Sequence, residues 1–125
     1  MLEITPIPLL TDNYAYFLED TATGTCAVVD PSQGTGVLEF LKKHKKSLHY
    51  ILNTHHHWDH VGGNVLLKAE TGAQVVGFLE DSHRIPGLDM ALSEGDLWTL
   101  GAHIARILFI PGHTLGHIAY YFEDV

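Results

Sequence analysis

The chain has little cysteine, little positive charge and no long apolar run. A single cysteine, Cys26, excludes an internal disulfide. Cys26 lies in a strand-like run, so we expect a small buried residue rather than a nucleophile. No apolar run is long enough to span a membrane, and residues 1–5 lack the basic and apolar regions of a secretory signal. These absences predict a cytoplasmic protein, or one in an equivalent reducing compartment.

Positive charge is scarce throughout the sequence. Lys and Arg together number 7 against 15 Asp and Glu, which gives a net charge of −8 with histidine neutral. Non-specific nucleic-acid binding needs a basic face, so this balance argues against a nucleic-acid partner. The basic cluster consists of Lys42, Lys43, Lys45 and Lys46. We interpret it as solvated side chains at a helix C-terminus, where they suit the helix dipole, with a phosphate-binding patch as the alternative.

Short apolar runs predict one α/β domain over residues 1–125. The predicted strands are 4–10, 14–18, 26–29, 48–53, 74–78, 97–100, 103–109 and 118–122. The predicted helices are 36–46 and 64–70, and residues 79–95 are expected to be irregular. Strands that alternate with helices indicate a layered architecture.

Four histidines and an aspartate crowd into six consecutive positions directly after a predicted strand. Imidazole and carboxylate are the ligands that zinc, iron and manganese prefer. In extended backbone, residues two apart point to the same side, so His55 and His57 can converge on one ion while His56 points away. Asp59 and His60 can face a second ion beside it. The spacing therefore predicts a two-metal hydrolase.

The first metal needs another ligand, because a catalytic zinc usually has three protein ligands and an open position for water. His113 is the predicted third ligand, since it lies in a Pro-Gly turn after a strand, where a side chain can reach a cleft. A zinc ion held by three imidazoles would lower the pKa of a bound water to about 7. A second metal about 3.5–4 Å away would share the resulting hydroxide.

Other polar residues near the cluster are interpreted as structural. His56 is expected to lie at the surface or to support a ligand, and His117 to hydrogen-bond to its loop. Asp30 ends a strand, where it is expected to form a turn or to hold a ligand in place. The histidines expected to be ordinary surface or strand residues are His44, His49, His83 and His103.

Residues 54–64, Thr-His-His-His-Trp-Asp-His-Val-Gly-Gly-Asn, resemble the signature of the metallo-β-lactamase superfamily. The string is most similar to the glyoxalase II branch, the hydroxyacylglutathione hydrolases. Segments 10–16, 85–89 and 111–117 resemble the same branch, so the resemblance spans essentially the whole chain.

The resemblance implies an αββα sandwich with the metals at the edge between two sheets. His55, His57 and His113 would hold metal one, and Asp59 and His60 would hold metal two. Two zinc ions are expected in a complete site, with iron or manganese possible. Asp59 would orient the hydroxide that attacks the thioester carbonyl of S-D-lactoylglutathione, which gives D-lactate and glutathione.

Members of this branch continue past the position of Val125 with a bridging aspartate, a further histidine and a helical glutathione-binding region. We therefore expect mainly the N-terminal half of the sandwich, as one mixed sheet with flanking helices. Such a chain would bind metal two weakly and hydrolyse the thioester feebly or not at all. Its exposed sheet face would favour self-association.

Several other activities use similar histidine ligands. A lactonase, a β-lactam hydrolase and a persulfide dioxygenase with one iron are the enzymatic alternatives. A non-catalytic metal-binding or interaction module is the remaining one. A panel of substrates separates these hypotheses.

Overall fold

The computed structural model describes residues 1–9, 13–54, 62–109 and 118–122. Six strands form a mixed sheet in the order β1 (Leu2–Leu9), β2 (Asn13–Asp20), β3 (Thr25–Val29), β4 (Tyr50–Leu52), β5 (Gln74–Phe78) and β6 (Leu88–Leu92). A second, antiparallel sheet consists of β7 (Leu97–Leu100), β8 (His103–Phe109) and β9 (Ile118–Phe122). The helical elements are α1 (Gly34–His44), α2 (Asn64–Thr71) and a 3-10 helix (Leu79–Arg84).

Helix α1 has capping interactions at both ends. The Gln33 side chain accepts a hydrogen bond from the Gly36 backbone N–H at 3.1 Å, which caps the first turn. Val37 and Leu41 are buried and face the sheet. The helix ends where Lys45 adopts a left-handed conformation with φ 56° and its N–H turns back to the last carbonyls. Neither α1, with 11 residues, nor α2, with 8, is long and apolar enough to cross a membrane.

The basic cluster surrounds the C-terminal end of α1. All four of its lysines are exposed, and Lys42 and Lys43 lie in the last turn, where positive charge favours the helix dipole. Lys46 donates to the Glu19 carboxylate at 2.9 Å, and this hydrogen bond raises its pKa. This arrangement agrees with the interpretation as solvated side chains.

The central strands of the large sheet, β3, β4 and β5, are buried on both faces. One face packs against the two helices through Val28, Ile51 and Val75, and the opposite face packs against β7 and β8 through Ala27, Leu52 and Val76. Because these positions alternate along β3, β4 and β5, each strand contributes to both cores. A fully buried Val, Leu or Ile side chain contributes about 1.5–3 kcal/mol relative to exposure. The layers are therefore helix, sheet and sheet.

The second sheet corrects the expectation of a single mixed sheet, and it covers the inner face of the large sheet only in part. Trp98, Leu100 and Ala105 cover the central strands of that face. On β1 and β2, Ile4, Tyr14 and Tyr16 stay exposed on the same face. The exposed apolar side chains of the second sheet, Leu97, Ile104 and Tyr121, are on its outer face. The α/β sandwich class itself is confirmed, and it includes both sheets.

Strands β3, β4, β5 and β6 run parallel, so their carboxyl ends meet at one edge of the sheet. In open parallel sheets this edge is where ligands bind. Strand β6 falls in the region expected to be irregular, so that prediction was wrong for residues 88–92. The partly buried Leu88, Met90 and Leu92 alternate with exposed residues, and pairing with β5 makes them an edge strand.

Candidate metal centre

The predicted metal ligands lie outside the described residues. They are His55, His57, Asp59, His60 and His113, and His56 and His117 lie outside as well. Within the described ranges, no three His, Cys, Asp or Glu side chains form a group that could hold a metal ion. The structure instead describes the residues that flank the two segments with candidate ligands.

Asp30 fixes the residue that directly precedes His55. It lies at the carboxyl end of β3 and has φ 51°, which is uncommon for a non-glycine residue. Its backbone N–H donates to Leu52 at 2.9 Å, and its carboxylate accepts hydrogen bonds from the backbone N–H and the hydroxyl of Thr54. Asp30 therefore contacts the residue before His55, and its role in holding a ligand in place stays a prediction, because His55 lies outside the described residues.

The segment that contains His113 leaves the second sheet beside Thr54. Phe109 and Ile118 are paired at the end of β8 and the start of β9, so both ends of segment 110–117 meet there. The Ile118 N–H donates to the Thr54 carbonyl at 2.7 Å. The two segments with candidate ligands are therefore tied together at one edge, between the two sheets.

Two buried asparagines connect the residues on either side of the histidine cluster. Asn53 follows β4 and Asn64 opens α2, and both side chains are fully buried. Each amide donates to the other's oxygen, at 3.3 Å from Asn53 and 2.7 Å from Asn64. Sequence reasoning missed both residues. The available signal was a polar residue at each boundary between the cluster and an apolar element.

Tyr120 was also missed, and it links β9 to the large sheet. Its hydroxyl lies 2.9 Å from the Asn53 carbonyl and 3.2 Å from the Val76 carbonyl, and it donates to this pair. Burial, with the Asp30 charge, raises the pKa of the Tyr120 phenol well above its ordinary value. The hydroxyl therefore stays neutral and remains a donor.

Gly63 allows close contact between the start of α2 and the loop before α1. Its N–H donates to the Pro31 carbonyl at 2.7 Å. A Cβ at this position would lie 2.8 Å from that same carbonyl oxygen and 2.8 Å from the Gln33 carbonyl carbon. Both are backbone atoms that cannot move independently, so only glycine fits here.

Cys26 is the small buried residue that its sequence context predicts. Its side chain is 2% exposed, and burial raises the pKa of its thiol to about 11. The thiol is therefore protonated at neutral pH and is a poor nucleophile. His49 is exposed, and its Nδ1 accepts a hydrogen bond from the Cys26 backbone N–H at 3.0 Å.

The family model described as metallo-beta-lactamase superfamily matches residues 10–125. The chain belongs to the metallo-β-lactamase superfamily. Membership confirms the resemblance and implies a metal-dependent protein, and it agrees with the layered α/β fold.

Curated relatives within this superfamily are named hydroxyacylglutathione hydrolase. The protein of that name from Methylococcus capsulatus is 54% identical over 99% of this chain and 48% of the relative. The one from Rhodospirillum rubrum is 49% identical over 98% of this chain and 48% of the relative. The chain thus spans about half the length of the curated relatives it matches.

Solved structures of other superfamily members share the fold. ETHE1 from Myxococcus xanthus has a TM-score of 0.80 at 26% identity, over 98% of this chain and 54% of that chain. BJP-1, a subclass B3 metallo-beta-lactamase of Bradyrhizobium japonicum, has a TM-score of 0.80 at 26% identity, over 95% of this chain and 53% of that chain. Both chains are about twice as long as the part that aligns with this one.

Proposed function

We propose that this chain is the metal-binding part of a hydroxyacylglutathione hydrolase, a thioesterase that converts S-D-lactoylglutathione and water to D-lactate and glutathione. The structure supports the metal-binding part of this proposal through the 2.7 Å hydrogen bond from the Ile118 N–H to the Thr54 carbonyl, which joins the residues that flank the two candidate ligand segments. Curated relatives at 46–54% identity carry that name.

The short distance along the chain from the described strands to the candidate ligands supports a shared first metal. His55 follows Thr54 directly, and His113 is four residues beyond Phe109. An extended chain advances by at most about 3.6 Å per residue, so His113 lies within about 14 Å of Phe109. His55, His57 and His113 would therefore hold the first ion near this edge.

The donor set fits the metal that the superfamily implies. Three imidazoles for metal one, with Asp59 and His60 for metal two, are nitrogen and oxygen donors that suit zinc, and iron or manganese accept the same set. When bound, the metal would supply Lewis acidity that polarises the thioester carbonyl and acidifies water for attack. Asp59 would orient the attacking water, and the histidines would keep the ions at the sheet edge.

The thioesterase hypothesis is better supported than the other activities of the superfamily. The relatives named hydroxyacylglutathione hydrolase are at least 46% identical to this chain, whereas the neighbouring ETHE1 and lactamase structures are at most 26% identical. A panel of S-D-lactoylglutathione, a lactone, a β-lactam and glutathione persulfide tests this. It should be run on this chain and on a protein that continues to the full length of the relatives.

Zinc content tests the ligand assignment. We expect about one tightly held zinc per chain, because three ligands are available for metal one and two for metal two. His55→Ala, His57→Ala and His113→Ala should each lose it, whereas Asp59→Ala and His60→Ala should retain it. His83→Ala, at an exposed histidine outside the set, is the matched control. Metal analysis after dialysis gives the stoichiometry.

Two results would contradict these assignments. Retention of zinc by His113→Ala would remove His113 from the site. Two tightly held ions per chain, with rapid turnover of S-D-lactoylglutathione, would refute the expectation that this chain alone binds metal two weakly and hydrolyses the thioester feebly. A cytoplasmic location stays a prediction for the same protein.

A further inference from the structure

The hydrogen bonds at the base of the histidine cluster form a closed arrangement. Asn53 and Asn64 stand immediately outside residues 54–63, which contain four of the five candidate ligands. Their reciprocal amide hydrogen bonds bring the two ends of this ten-residue segment together. We name the pair the asparagine clasp.

The orientation of both amides in the clasp follows from a third contact. The Asn64 Nδ2 also lies 3.2 Å from the Pro86 carbonyl oxygen. A reversed amide would set two oxygens against each other at this distance, so the nitrogen must face Pro86. The Asn53 amide must then present its oxygen to that nitrogen. Both Asn64 donors are therefore used, and the clasp has one consistent hydrogen-bond pattern.

The backbone of Asn53 is held by hydrogen bonds that do not involve its side chain. The Asn53 N–H donates to Val76 at 2.9 Å, and the Asn53 carbonyl accepts from Tyr120. Removal of the Asn53 side chain leaves both contacts available. The amide pair therefore adds something separate from strand pairing: a direct link between the two ends of the cluster, beside the contacts of Thr54 with Asp30 and of Gly63 with Pro31.

We infer that the asparagine clasp is a positioning device that pre-organises the histidine cluster for metal binding. Holding the two ends of a loop together removes part of the ordering entropy that metal binding would otherwise have to overcome. Neither asparagine is proposed to touch the metal or the substrate. This inference rests on the proposed metal site and adds two residues that control its affinity.

Zinc affinity, measured by competition with a chelator, tests the clasp in Asn53→Ala and Asn64→Ala. Residues that orient metal ligands typically change metal affinity by about 10- to 100-fold when replaced, and we expect a loss of this size. The rise in Tm on zinc addition should shrink in the same variants. A purely structural role would lower Tm with and without zinc equally and would leave the dissociation constant unchanged.

Asp20→Asn is the control, because Asp20 is equally buried and hydrogen-bonded but lies at the β2–β3 turn, away from the cluster. It should lower Tm and leave the zinc dissociation constant within about twofold, since it leaves the clasp intact. If Asn53→Ala does not fold, Asn53→Ser breaks the reciprocal pair with a smaller loss of polarity, and it should also weaken zinc binding.

The outcomes separate this inference from the proposed function. If the parent chain binds zinc and the folded clasp variants bind it equally well, the inference is wrong and the metal site stands. If the parent chain binds no zinc, the metal site in this chain is wrong, and the inference is overturned with it.

Discussion

The buried carboxylate of Asp20 accepts hydrogen bonds from two turns of the chain. It accepts hydrogen bonds from the Ala22 N–H and the Thr23 hydroxyl in its own turn, and from the Ala102 N–H in the turn between β7 and β8. His103 lies 3.5 Å away and is itself buried. This histidine was expected to be an ordinary surface or strand residue, and it is a strand residue in the interior. The carboxylate therefore joins the turns of the two sheets.

The turn between β7 and β8 packs closely around the Asp20 carboxylate. Gly101 has φ 58°, and a Cβ there would lie 2.2 Å from an Asp20 oxygen. The backbone hydrogen bond from Ala102 is the main cause of a lowered Asp20 pKa, with Ala22, Thr23 and His103 adding to it against the opposing effect of desolvation. The folded protein therefore favours the ionised form.

The lowered pKa predicts a pH dependence of stability. A carboxyl whose pKa is lower in the folded state stabilises the protein above its unfolded value, near 3.8. That contribution is lost as pH falls from there through the folded value. Asp20→Asn should therefore be less stable than the parent at pH 6, and the difference should shrink below about pH 4. Urea unfolding at several pH values measures it, and a constant difference down to pH 2 would contradict the prediction.

At the scale of elements, Tyr120 is the polar connection from β9 to the edge of the large sheet. Its ring packs in the core between the sheets, and its hydroxyl reaches the carbonyls of Asn53 and Val76. Sequence patterning predicted strands β4, β5 and β9 correctly. It could not predict that β9 would lie against the end of β4, because that contact joins residues 67 positions apart.

Tyr120→Phe should destabilise the chain by about 1 kcal/mol, because it removes a buried hydrogen bond and keeps the ring. Tyr121→Phe is the matched control, since the neighbouring ring is 50% exposed, and it should change stability by less than about 0.5 kcal/mol. Urea denaturation followed by circular dichroism measures both variants. Equal stabilities would indicate that the Tyr120 hydroxyl contributes nothing beyond its ring.

At the scale of the whole molecule, exposed apolar side chains of the described strands lie on two faces: the inner face of the large sheet at β1 and β2, with Ile4, Tyr14 and Tyr16, and the outer face of the second sheet. Leu97, Ile104 and Tyr121 are between 50% and 63% exposed, and strand register places them on one side. Arg106 pairs with both Leu97 and Tyr121 on this face, so the apolar patch is interrupted by one charge. Exposed apolar side chains grouped on one face favour association with another surface. The outer face is therefore a second candidate interface, beside the exposed part of the inner face at β1 and β2, where the self-association expected from the sequence stays a prediction.

We predict that the chain self-associates through this outer face at high concentration. Ile104→Lys should shift the equilibrium toward monomer, because a charge would be buried in the interface. Val65→Lys is the control, since Val65 is 65% exposed on α2, on the other side of the molecule. Sedimentation velocity over a concentration series measures the effect. A monomeric parent at the highest concentration would refute the prediction.

The sequence by itself determined the superfamily and the position of most elements. The spacing of His55, His57, Asp59 and His60 named a superfamily that the family comparison confirms, because ligand chemistry depends on residue type and local spacing. Apolar periodicity located both helices and eight of the nine described strands, since burial imposes a period on each element. Strand β6 was not predicted, because its short alternation of apolar and polar residues forms a strand only through pairing with β5.

Only the tertiary structure decided how the candidate site is supported. Asp30 on Thr54, Ile118 on Thr54, and the asparagine clasp all join residues that are 11 or more positions apart. Asparagine, aspartate and tyrosine have ordinary roles in turns, helix caps and cores, so a one-dimensional pattern gives them no special meaning. Their contacts lie at the edge where the carboxyl end of β4 meets the start of β9, and that meeting depends on how the two sheets pack.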